Sequence, residues 1–515
     1  MSNSHSRNNK RIAKNTLILY ARMLFLMVIS LYTSRVILQT LGVEDFGTYN
    51  VVGGFVALFA VLSQSLSSAA SRFLTFEMGR GYEEKLEKVF STILIIHILL
   101  AAVIAILAEA FGIWFVNHKM VVDQSRLEAA NWVFQFSVLT FCVNLVTVPH
   151  NAAIIAHERM NAFAYIGIFD GIGKLLICYL LLVSPIDRLL FYGLLMFLIQ
   201  LVSRGMYYIY CKKHFSECHL RLIYDKQLLK EISGFAGWNM IGSSSAILRN
   251  QGGNILINLF YGPVVNAARS IANQVLHAVN GFVENFFTAL KPQITKSYAS
   301  GDRNYMMSLI FQGCRLSYYM LLALSLPILM NTNYLLHLWL KNVPDSSNIF
   351  VQLTLVFTMI ESISTPLITA QQATGKVRNY QLVVGGIQLL NLPISYIFLK
   401  LGGVPETILY VAIFLSVCCL GARLYMLRTN ISLDVWSFIK KVILNIFNVS
   451  CVALVIPLTL RQVLDNSFLT LIVITIACLV CSILSILYVG CSNDERKFVY
   501  AKTSQLRNKI LKKNR

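Results

Sequence analysis

Apolar segments long enough to cross a lipid bilayer dominate this chain and restrict what it can fold into. Fourteen such segments follow one another, each close to the ~20 residues that a helix needs to span a hydrocarbon core. Because lipid offers no partners to backbone N–H and C=O groups, these segments are expected to be helices. The sequence therefore predicts an all-α polytopic membrane protein, with spans at residues 17–40, 48–70, 89–111, 129–149, 164–183, 189–210, 234–259, 264–289, 309–330, 349–370, 381–399, 407–427, 442–460 and 468–489.

The composition agrees with a membrane protein, and the placement of charge indicates its orientation. Hydrophobic residues make up 56% of the 515 residues, and the mean hydropathy is +0.63. The net charge of +20 would suit nucleic-acid binding, but the basic residues are distributed asymmetrically. With the N-terminus inside, the cytoplasmic segments hold 30 Lys and Arg residues and the outward loops hold 6. This bias predicts cytoplasmic N- and C-termini, with the basic tail near anionic lipid and no nucleic-acid partner.

The two halves of the chain resemble each other at an offset of 220 residues. Gly42 and Gly81 flank the second span, and Gly262 and Gly301 flank the eighth at the same separation. Each copy holds six spans, so the copies share one orientation, as in transporters built from parallel repeats. The alternative to a repeat is that these glycines match by chance. The expected organisation is a first lobe, a second lobe, and spans 13 and 14 with the basic tail, at residues 1–210, 211–427 and 428–515.

Six polar residues lie on one face of the otherwise apolar eighth span. They are Asn266, Arg269, Asn273, His277, Asn280 and Glu284, and their spacings of 3 and 4 residues mark one helix face. At 1.5 Å per residue the stripe is about 27 Å long, close to the thickness of the hydrocarbon core. Exposing such a stripe to lipid costs free energy, so the stripe is expected to face protein or water. It therefore predicts the wall of a polar cavity and hence transport.

Basic residues outnumber acidic ones inside the spans, which favours an anionic substrate. Three arginines are predicted to line the cavity: Arg35 in the outer third of span 1, Arg249 in the glycine-interrupted span 7, and Arg269 in the polar stripe. A planar guanidinium can hold phosphate oxygens bidentately, whereas a cationic drug would need an acidic cavity. The arginines near predicted cytoplasmic ends are expected to snorkel toward lipid headgroups; they are Arg22, Arg204, Arg315 and Arg423.

Three acids deep in the spans are candidates for ion coupling. Asp170 lies four residues before Lys174 on span 5, so it forms either a neutralised pair or an ion or substrate site. Glu284 ends the polar stripe. Glu361 either binds a proton or Na⁺ or pairs with an arginine of another helix. It lies on a second polar stripe, in span 10, whose other members are Thr354, Thr358, Thr365 and Thr369. The cysteines and histidines do not cluster with metal-ligand spacing, so no metal or cofactor is expected.

Four segments resemble those of bacterial polysaccharide (O-antigen) flippases. They are the first loop, Thr33–Asn50, the inner loop Pro149–Tyr165, and the segments Gly262–Gln274 and Lys291–Tyr298. On these residues the chain is similar to Wzx-type members of the multidrug/oligosaccharidyl-lipid/polysaccharide exporter superfamily. The resemblance covers the first twelve spans. It implies two six-helix lobes around a central cavity, followed here by two C-terminal helices, and transport by alternating access.

The flippase resemblance implies that the chain moves a polyprenyl-diphosphate-linked oligosaccharide repeat unit from the inner to the outer leaflet of the bacterial cytoplasmic membrane. Such transport serves surface polysaccharides such as the O-antigen of lipopolysaccharide. In this interpretation Arg35, Arg249 and Arg269 hold the diphosphate, while Asn273 and Asn280 bind sugars. Membrane lipids and the polysaccharide polymerase machinery are the further partners.

Two other function classes compete with this interpretation. The alternative within the same fold is a MATE-like drug or cation antiporter, because one fold can host several functions. An integral-membrane enzyme is not expected, because the outward loops are too short to carry a catalytic site.

Overall fold

A computed structural model describes residues 2–57, 59–118, 124–219, 221, 225–340, 343–465, 467–492 and 495–497. Within these residues the regular structure is helical and contains no β-strand, so the predicted all-α fold is confirmed. The α-helices are α1 (Ser2–Ala57), α2 (Ala60–Arg80), α3 (Glu83–Leu107), α4 (Ile113–His118), α5 (Leu127–Ala156), α6 (Met160–Leu182), α7 (Arg188–His214), α8 (Lys226–Ala299), α9 (Arg303–Trp339), α10 (Ser347–Ala373), α11 (Arg378–Leu389), α12 (Asn391–Lys400), α13 (Thr407–Ile431), α14 (Val435–Phe438), α15 (Leu444–Val463) and α16 (Phe468–Ser485). Short π-helical turns occupy Ala108–Gly112, Ile439–Ile443 and Ile486–Gly490, and a 3-10 turn occupies Gln124–Arg126.

Eleven helices in the described part of the chain are long and apolar enough to cross a membrane. Each of them coincides with one of the fourteen predicted spans. Of the other three predicted spans, 234–259 and 264–289 fall on the helical backbone of α8, and 48–70 falls on α1 and α2 on either side of residue 58, which lies outside the described part of the chain. The protein is a multi-pass membrane protein, as the sequence predicted.

Helix α1 changes direction at Gly42. This residue has φ 82° and ψ 170°, a conformation that glycine adopts without steric cost. Residues on both sides of the bend then pack in one apolar cluster, with Ile37 and Leu41 before it and Tyr49 after it. The bend lies in the short loop that the sequence predicted between the first two spans.

Helix α8 also reverses direction, although its backbone is helical over 74 residues. An added Cβ at Gly253 would lie 2.3 Å from Nη1 of Arg269. In a straight helix these residues would be about 24 Å apart along the axis. The chain therefore folds back between them, as expected for two successive spans.

The described contacts divide the chain into two compact units. The first contains Met1–Ala246, Asn285–Met306 and Thr369–Gly385. Its main core joins α2, α3, α5, α6, α7 and α8 through buried apolar side chains, including Phe90 and Ile154. This core holds the ends of those helices in fixed positions and so positions the polar residues beside it.

The second compact unit contains Ile247–Glu284, Met307–Ile368 and Gly386–Arg515. The C-terminal helices attach to α9 by polar contacts. The Tyr318 hydroxyl lies 2.9 Å from the hydroxyl of Ser450, and Arg315 pairs with Glu495 at 2.8 Å. Spans 13 and 14 are thus packed parts of this unit.

Candidate functional site

A polar cavity of about 250 Å³ lies within the first compact unit. Helix α2 lines it with one face, formed by Gln64, Ser67, Ser68, Ser71 and Arg72. These residues occupy positions i, i+3, i+4, i+7 and i+8, which adjoin on one side of a helix. The sequence prediction missed this face; its spacing marks a polar side of the helix but does not distinguish a cavity wall from a solvated surface.

Other helices complete the polar cavity with the ends of two polar stripes. Thr288, Lys291 and Thr295 of α8 continue the helical spacing of the stripe predicted on the eighth span. Thr369 is the last residue of the stripe predicted on span 10, and Asn151 contributes an amide from α5. The cavity therefore lies at the helix ends that the charge bias predicts to be cytoplasmic.

Arg72 is the more enclosed of the two cations that line the polar cavity. Its guanidinium carbon lies 4.4 Å from the ring centroid of Phe73 and 4.6 Å from that of Phe76. Nη2 donates to the carbonyl of Ala373 at 3.3 Å, whereas Nε is buried without a hydrogen-bond partner. An added Cβ at Gly375 would lie 2.7 Å from Nη2, so glycine leaves the space that the guanidinium occupies.

A buried carboxylate, Glu158, joins three separate segments beside the polar cavity. Lys296 Nζ and Gln293 Nε2 each donate to it at 2.7 Å, and Arg11 Nε lies 3.2 Å from it. Asn15 donates to its backbone carbonyl at 3.4 Å. Burial lowers the pKa of Lys296, while the carboxylate of Glu158 opposes that shift. We refer to Glu158 and these four partners as the Glu158 cluster.

The backbone at Glu158 has a conformation that glycine usually provides. Its φ is 58°, and the N–H groups of Glu158 and Arg159 bond back to the carbonyls of Ile155 and Ile154 at the end of α5. This is the left-handed helix ending at which a side chain costs about 1 kcal/mol or more. The carboxylate contacts of Glu158 offset that cost.

The neighbouring residue, His157, makes a second ionic contact with the loop after α7. Its Nε2 lies 2.5 Å from Oε1 of Glu217, and its ring stacks on Phe215 at 3.9 Å. Burial would raise the pKa of Glu217, but the hydrogen bond with His157, a backbone hydrogen bond and the electrostatic effect of His157 together outweigh it, and the net pKa is lowered. The turn between α5 and α6 is therefore fixed on two sides by charged contacts.

Two of the predicted substrate residues, Arg249 and Arg269, form a cationic pair in the second unit. Arg269 is 6% exposed, lies against Gly253 and donates to the carbonyl of Asn250 at 3.3 Å. Its Nη1 is buried without a partner, and Arg249 is close enough for the two cations to repel each other. The guanidinium of Arg249 lies 4.9 Å from the Phe357 ring centroid. Neither arginine forms an ion pair with a carboxylate among the described residues.

The other predicted residues of the stripe differ in exposure. Asn273 and Asn280 are half-buried, whereas His277 and Glu284 are exposed. The side chain of Arg35 lies outside the part of the chain that the structure describes. The roles predicted for these residues therefore stay predictions.

The acid predicted on span 5, Asp170, has several partners. Lys174 lies 2.9 Å from its carboxylate, and Gln200 and Ser203 of α7 donate to it at 2.8 Å and 3.4 Å. These contacts neutralise the carboxylate and link α6 to α7. Its role in ion coupling stays a prediction.

The acid predicted on span 10, Glu361, accepts a hydrogen bond from the hydroxyl of Ser416. One turn further along, Ser364 accepts a 2.7 Å bond from Nη1 of Arg423. Arg423 is only 1% exposed, so the expectation that it snorkels to headgroups is wrong. The hydroxyl of Ser364 provides an internal partner, which a sequence pattern within one span could not reveal.

Comparisons with known proteins agree with a transporter fold. The chain is similar to the "Uncharacterized membrane protein EpsK" of Bacillus subtilis (strain 168), with 22% identity over 296 residues. Because the match covers 56% of this chain and 57% of that protein, the chain spans little more than half the length of this relative.

Solved structures share the fold at low sequence identity. A MATE transporter in complex with MaD3S superimposes with a TM-score of 0.69 at 13% identity, covering 82% of this chain and 96% of that one. An outward-facing multidrug resistance MATE family transporter gives 0.70 at 13% identity and the same coverage. A MOP superfamily transporter from Pyrococcus furiosus, described as having a binding pocket of reverse polarity, gives 0.68 at 13% identity and the same coverage.

The family model for polysaccharide biosynthesis proteins matches residues 12–298, more than half of the chain. The chain thus shares its family with polysaccharide biosynthesis proteins and its fold with solved MATE structures. The protein therefore belongs to the polysaccharide biosynthesis protein family.

Proposed function

We propose that this protein translocates a lipid diphosphate-linked oligosaccharide from the inner to the outer leaflet of the bacterial cytoplasmic membrane. The observation that carries the proposal is the Arg249–Arg269 pair, which no carboxylate balances among the described residues. An unbalanced buried cation costs several kcal/mol, which a bound anion would offset. A diphosphate supplies about two negative charges and oxygens that match the guanidinium fork.

The remaining predicted groups have roles that follow the path of such a substrate. Arg35 is the third proposed ligand of the diphosphate. Asn273 and Asn280 offer amides to the sugar hydroxyls, and their half-buried positions on the stripe are compatible with contact to a polar ligand. Neutral amides suit sugars because they donate and accept hydrogen bonds without carrying charge.

We propose that the lobes predicted at 1–210 and 211–427 move against each other during transport, with residues 428–515 as an accessory segment. The repeat that defines them has local structural support. Gly81 follows α2 with φ 77°, and Gly301, 220 residues later, follows α8 with φ 79°. Equivalent helix endings at equivalent positions are expected of a repeated unit.

Ion coupling is proposed at Asp170, Glu284 or Glu361. Glu361 is favoured because its contact with a neutral hydroxyl leaves carboxylate oxygens able to accept a proton or a cation. Asp170 is less favoured because Lys174 already balances its charge. Replacing each acid with its amide should change the pH or Na⁺ dependence of transport only at the coupling residue.

The positive-inside bias supports cytoplasmic termini, and the family supports a role beside the enzymes that assemble and polymerise the polysaccharide. The proposed partners are therefore the polyprenyl-linked substrate, membrane lipids and the polymerase machinery. External labelling of a cysteine at residue 5 or 510 in intact cells would contradict this orientation.

Reconstitution into vesicles with defined lipid-linked oligosaccharides tests the function directly. We expect Arg269→Ala and Arg249→Ala to abolish transfer, Arg269→Lys to restore part of it, and Arg428→Ala to leave it unchanged. Lysine is a point charge without the bidentate fork, and Arg428 is exposed. Full transfer by the double Arg→Ala variant would refute the proposed grip. Transport of organic cations without lipid-linked sugar transfer would establish the antiporter alternative instead.

A further inference from the structure

The polar cavity has a chemistry that the proposed grip at Arg249 and Arg269 does not use. Those arginines belong to the second compact unit, whereas every residue lining the cavity belongs to the first. The cavity is thus a separate feature that requires its own explanation.

The lining of the polar cavity is cationic and rich in hydrogen-bond donors. Among the described residues, Arg72 and Lys291 are its charged lining side chains, and no carboxylate lines it. Glu77 and Glu231 are near enough to act electrostatically on Arg72, but neither reaches the cavity wall. Burying a cation beside hydroxyl groups without an anion leaves its charge poorly balanced, so an anionic ligand would be stabilised there.

Arg72 also has an unused donor. Its Nε is buried without a hydrogen-bond partner, and only Nη2 reaches a carbonyl, that of Ala373 at 3.3 Å. Buried polar groups in proteins are normally satisfied, and an orphaned donor beside a cavity is expected where an acceptor ligand completes it.

The volume limits the ligand to a small polar group. At about 250 Å³ the cavity is smaller than the ~300–1,000 Å³ of drug-sized ligand pockets, and much too small for a lipid-linked oligosaccharide as a whole. Tetrahedral phosphate oxygens accept hydrogen bonds from guanidinium, ammonium and hydroxyl groups, which are the donors present here.

We propose that the polar cavity binds a phosphate or diphosphate group through Arg72 and Lys291, with hydroxyl groups such as that of Ser71 as further donors. The group belongs either to the lipid-linked substrate as it enters from the inner leaflet or to a free phosphate compound of the cytoplasm. The first source rests on the proposed function, whereas phosphate binding itself does not.

The test uses the full-length protein in lipid nanodiscs, with Arg249→Ala and Arg269→Ala already introduced so that the proposed grip cannot contribute. Inorganic diphosphate and polyprenyl diphosphate are the two probes, and binding is measured by calorimetry. Arg72→Gln and Lys291→Gln should each weaken binding roughly ten- to a hundredfold, as expected for loss of a charged hydrogen bond. Lys230→Gln, an exposed cation on the side predicted to be cytoplasmic, is the matched control and should change nothing.

The two probes show whether the bound phosphate group belongs to the lipid-linked substrate or to a free phosphate compound. If the lipid is the ligand, polyprenyl diphosphate displaces inorganic diphosphate and binds more tightly; if a free compound is the ligand, the lipid fails to displace it. If Arg72→Gln does not fold, Ser71→Asp takes its place in the test. The added carboxylate repels an anion, so this variant should also weaken binding of both probes. Failure of both probes to bind, or unchanged binding by the cavity variants, would overturn the proposal. These binding results do not depend on whether Arg249 and Arg269 are needed for oligosaccharide transfer. Phosphate binding in the polar cavity and the proposed transport function can therefore be refuted independently.

Discussion

The Glu158 cluster allows one perturbation to be worked out in detail. Glu158→Gln keeps the shape of the side chain but removes the charge that Lys296 contacts at 2.7 Å and Arg11 at 3.2 Å. Breaking a buried, hydrogen-bonded charge pair typically costs 2–5 kcal/mol. Here Glu158 is 2% exposed, but Lys296 is 23% and Arg11 48% exposed, so solvent screens the cations that remain. We therefore take the lower end, about 2 kcal/mol, which corresponds to a roughly thirtyfold shift toward separation of the three segments.

Thiol accessibility measures that shift. A cysteine introduced as Ser71→Cys on the wall of the polar cavity should react with a hydrophilic maleimide at a rate that follows the open population. We expect Glu158→Gln to raise this rate about thirtyfold over the Ser71→Cys parent, by the 2 kcal/mol above. Lys230→Cys, on the exposed part of α8, should react equally in both backgrounds. The exchanged pair Glu158→Lys with Lys296→Glu should return the rate toward that of the parent. An unchanged rate in Glu158→Gln would show that the cluster does not hold this region closed.

Three further predictions concern other parts of the structure. Gly253→Ala should reduce oligosaccharide transfer, because the new Cβ would lie 2.3 Å from Nη1 of Arg269 and displace the guanidinium. Equal transfer by Gly253→Ala and the parent would count against this packing. Glu217→Gln should lower the stability of the purified protein at pH 7 by roughly 1–3 kcal/mol. Because the folded pKa of Glu217 is lowered, the contribution is present above the ordinary carboxylate pKa and is lost as the pH falls through the lower folded value, so the Gln variant should show a shallower loss of thermal stability in acid. Arg423→Ala should destabilise the protein by roughly 3 kcal/mol in thermal denaturation, because it removes a side chain that is 1% exposed, whereas Arg428→Ala should have no effect.

The fold could be predicted largely from local signals, because crossing a bilayer requires long apolar helices. The reversal within α8 was also predictable, since spans 7 and 8 were each long enough to cross separately. Where helices begin and end was less predictable: the second span was expected to end at residue 70, but α2 continues to Arg80, because its last turns pack in the protein core through residues such as Leu74.

The candidate site was only partly predictable. The stripe on the eighth span led to Arg269, which is buried in the structure, while its role in binding substrate stays a prediction. The polar cavity was missed because its lining comes from helices distant in sequence, and a face such as Ser67–Arg72 has the same composition whether it faces a cavity or solvent. Glu158 was missed for a different reason: its partners Arg11 and Lys296 are separated from it by more than a hundred residues, so no local pattern indicates that the carboxylate is buried and paired.

The last turns of α8 present two functional surfaces on one rigid backbone. Lys291 and Thr295 face the polar cavity, while Gln293 and Lys296 bind Glu158. A movement of this backbone would shift all four side chains together, so we expect occupancy of the cavity and integrity of the Glu158 contacts to be energetically coupled. Coupling between two sites is reciprocal. If a ligand in the cavity weakens the Glu158 contacts by some factor, breaking those contacts must strengthen binding of that ligand by the same factor. Through these six residues, binding of an anion in the polar cavity would shift the equilibrium between contact and separation of the surrounding helix ends.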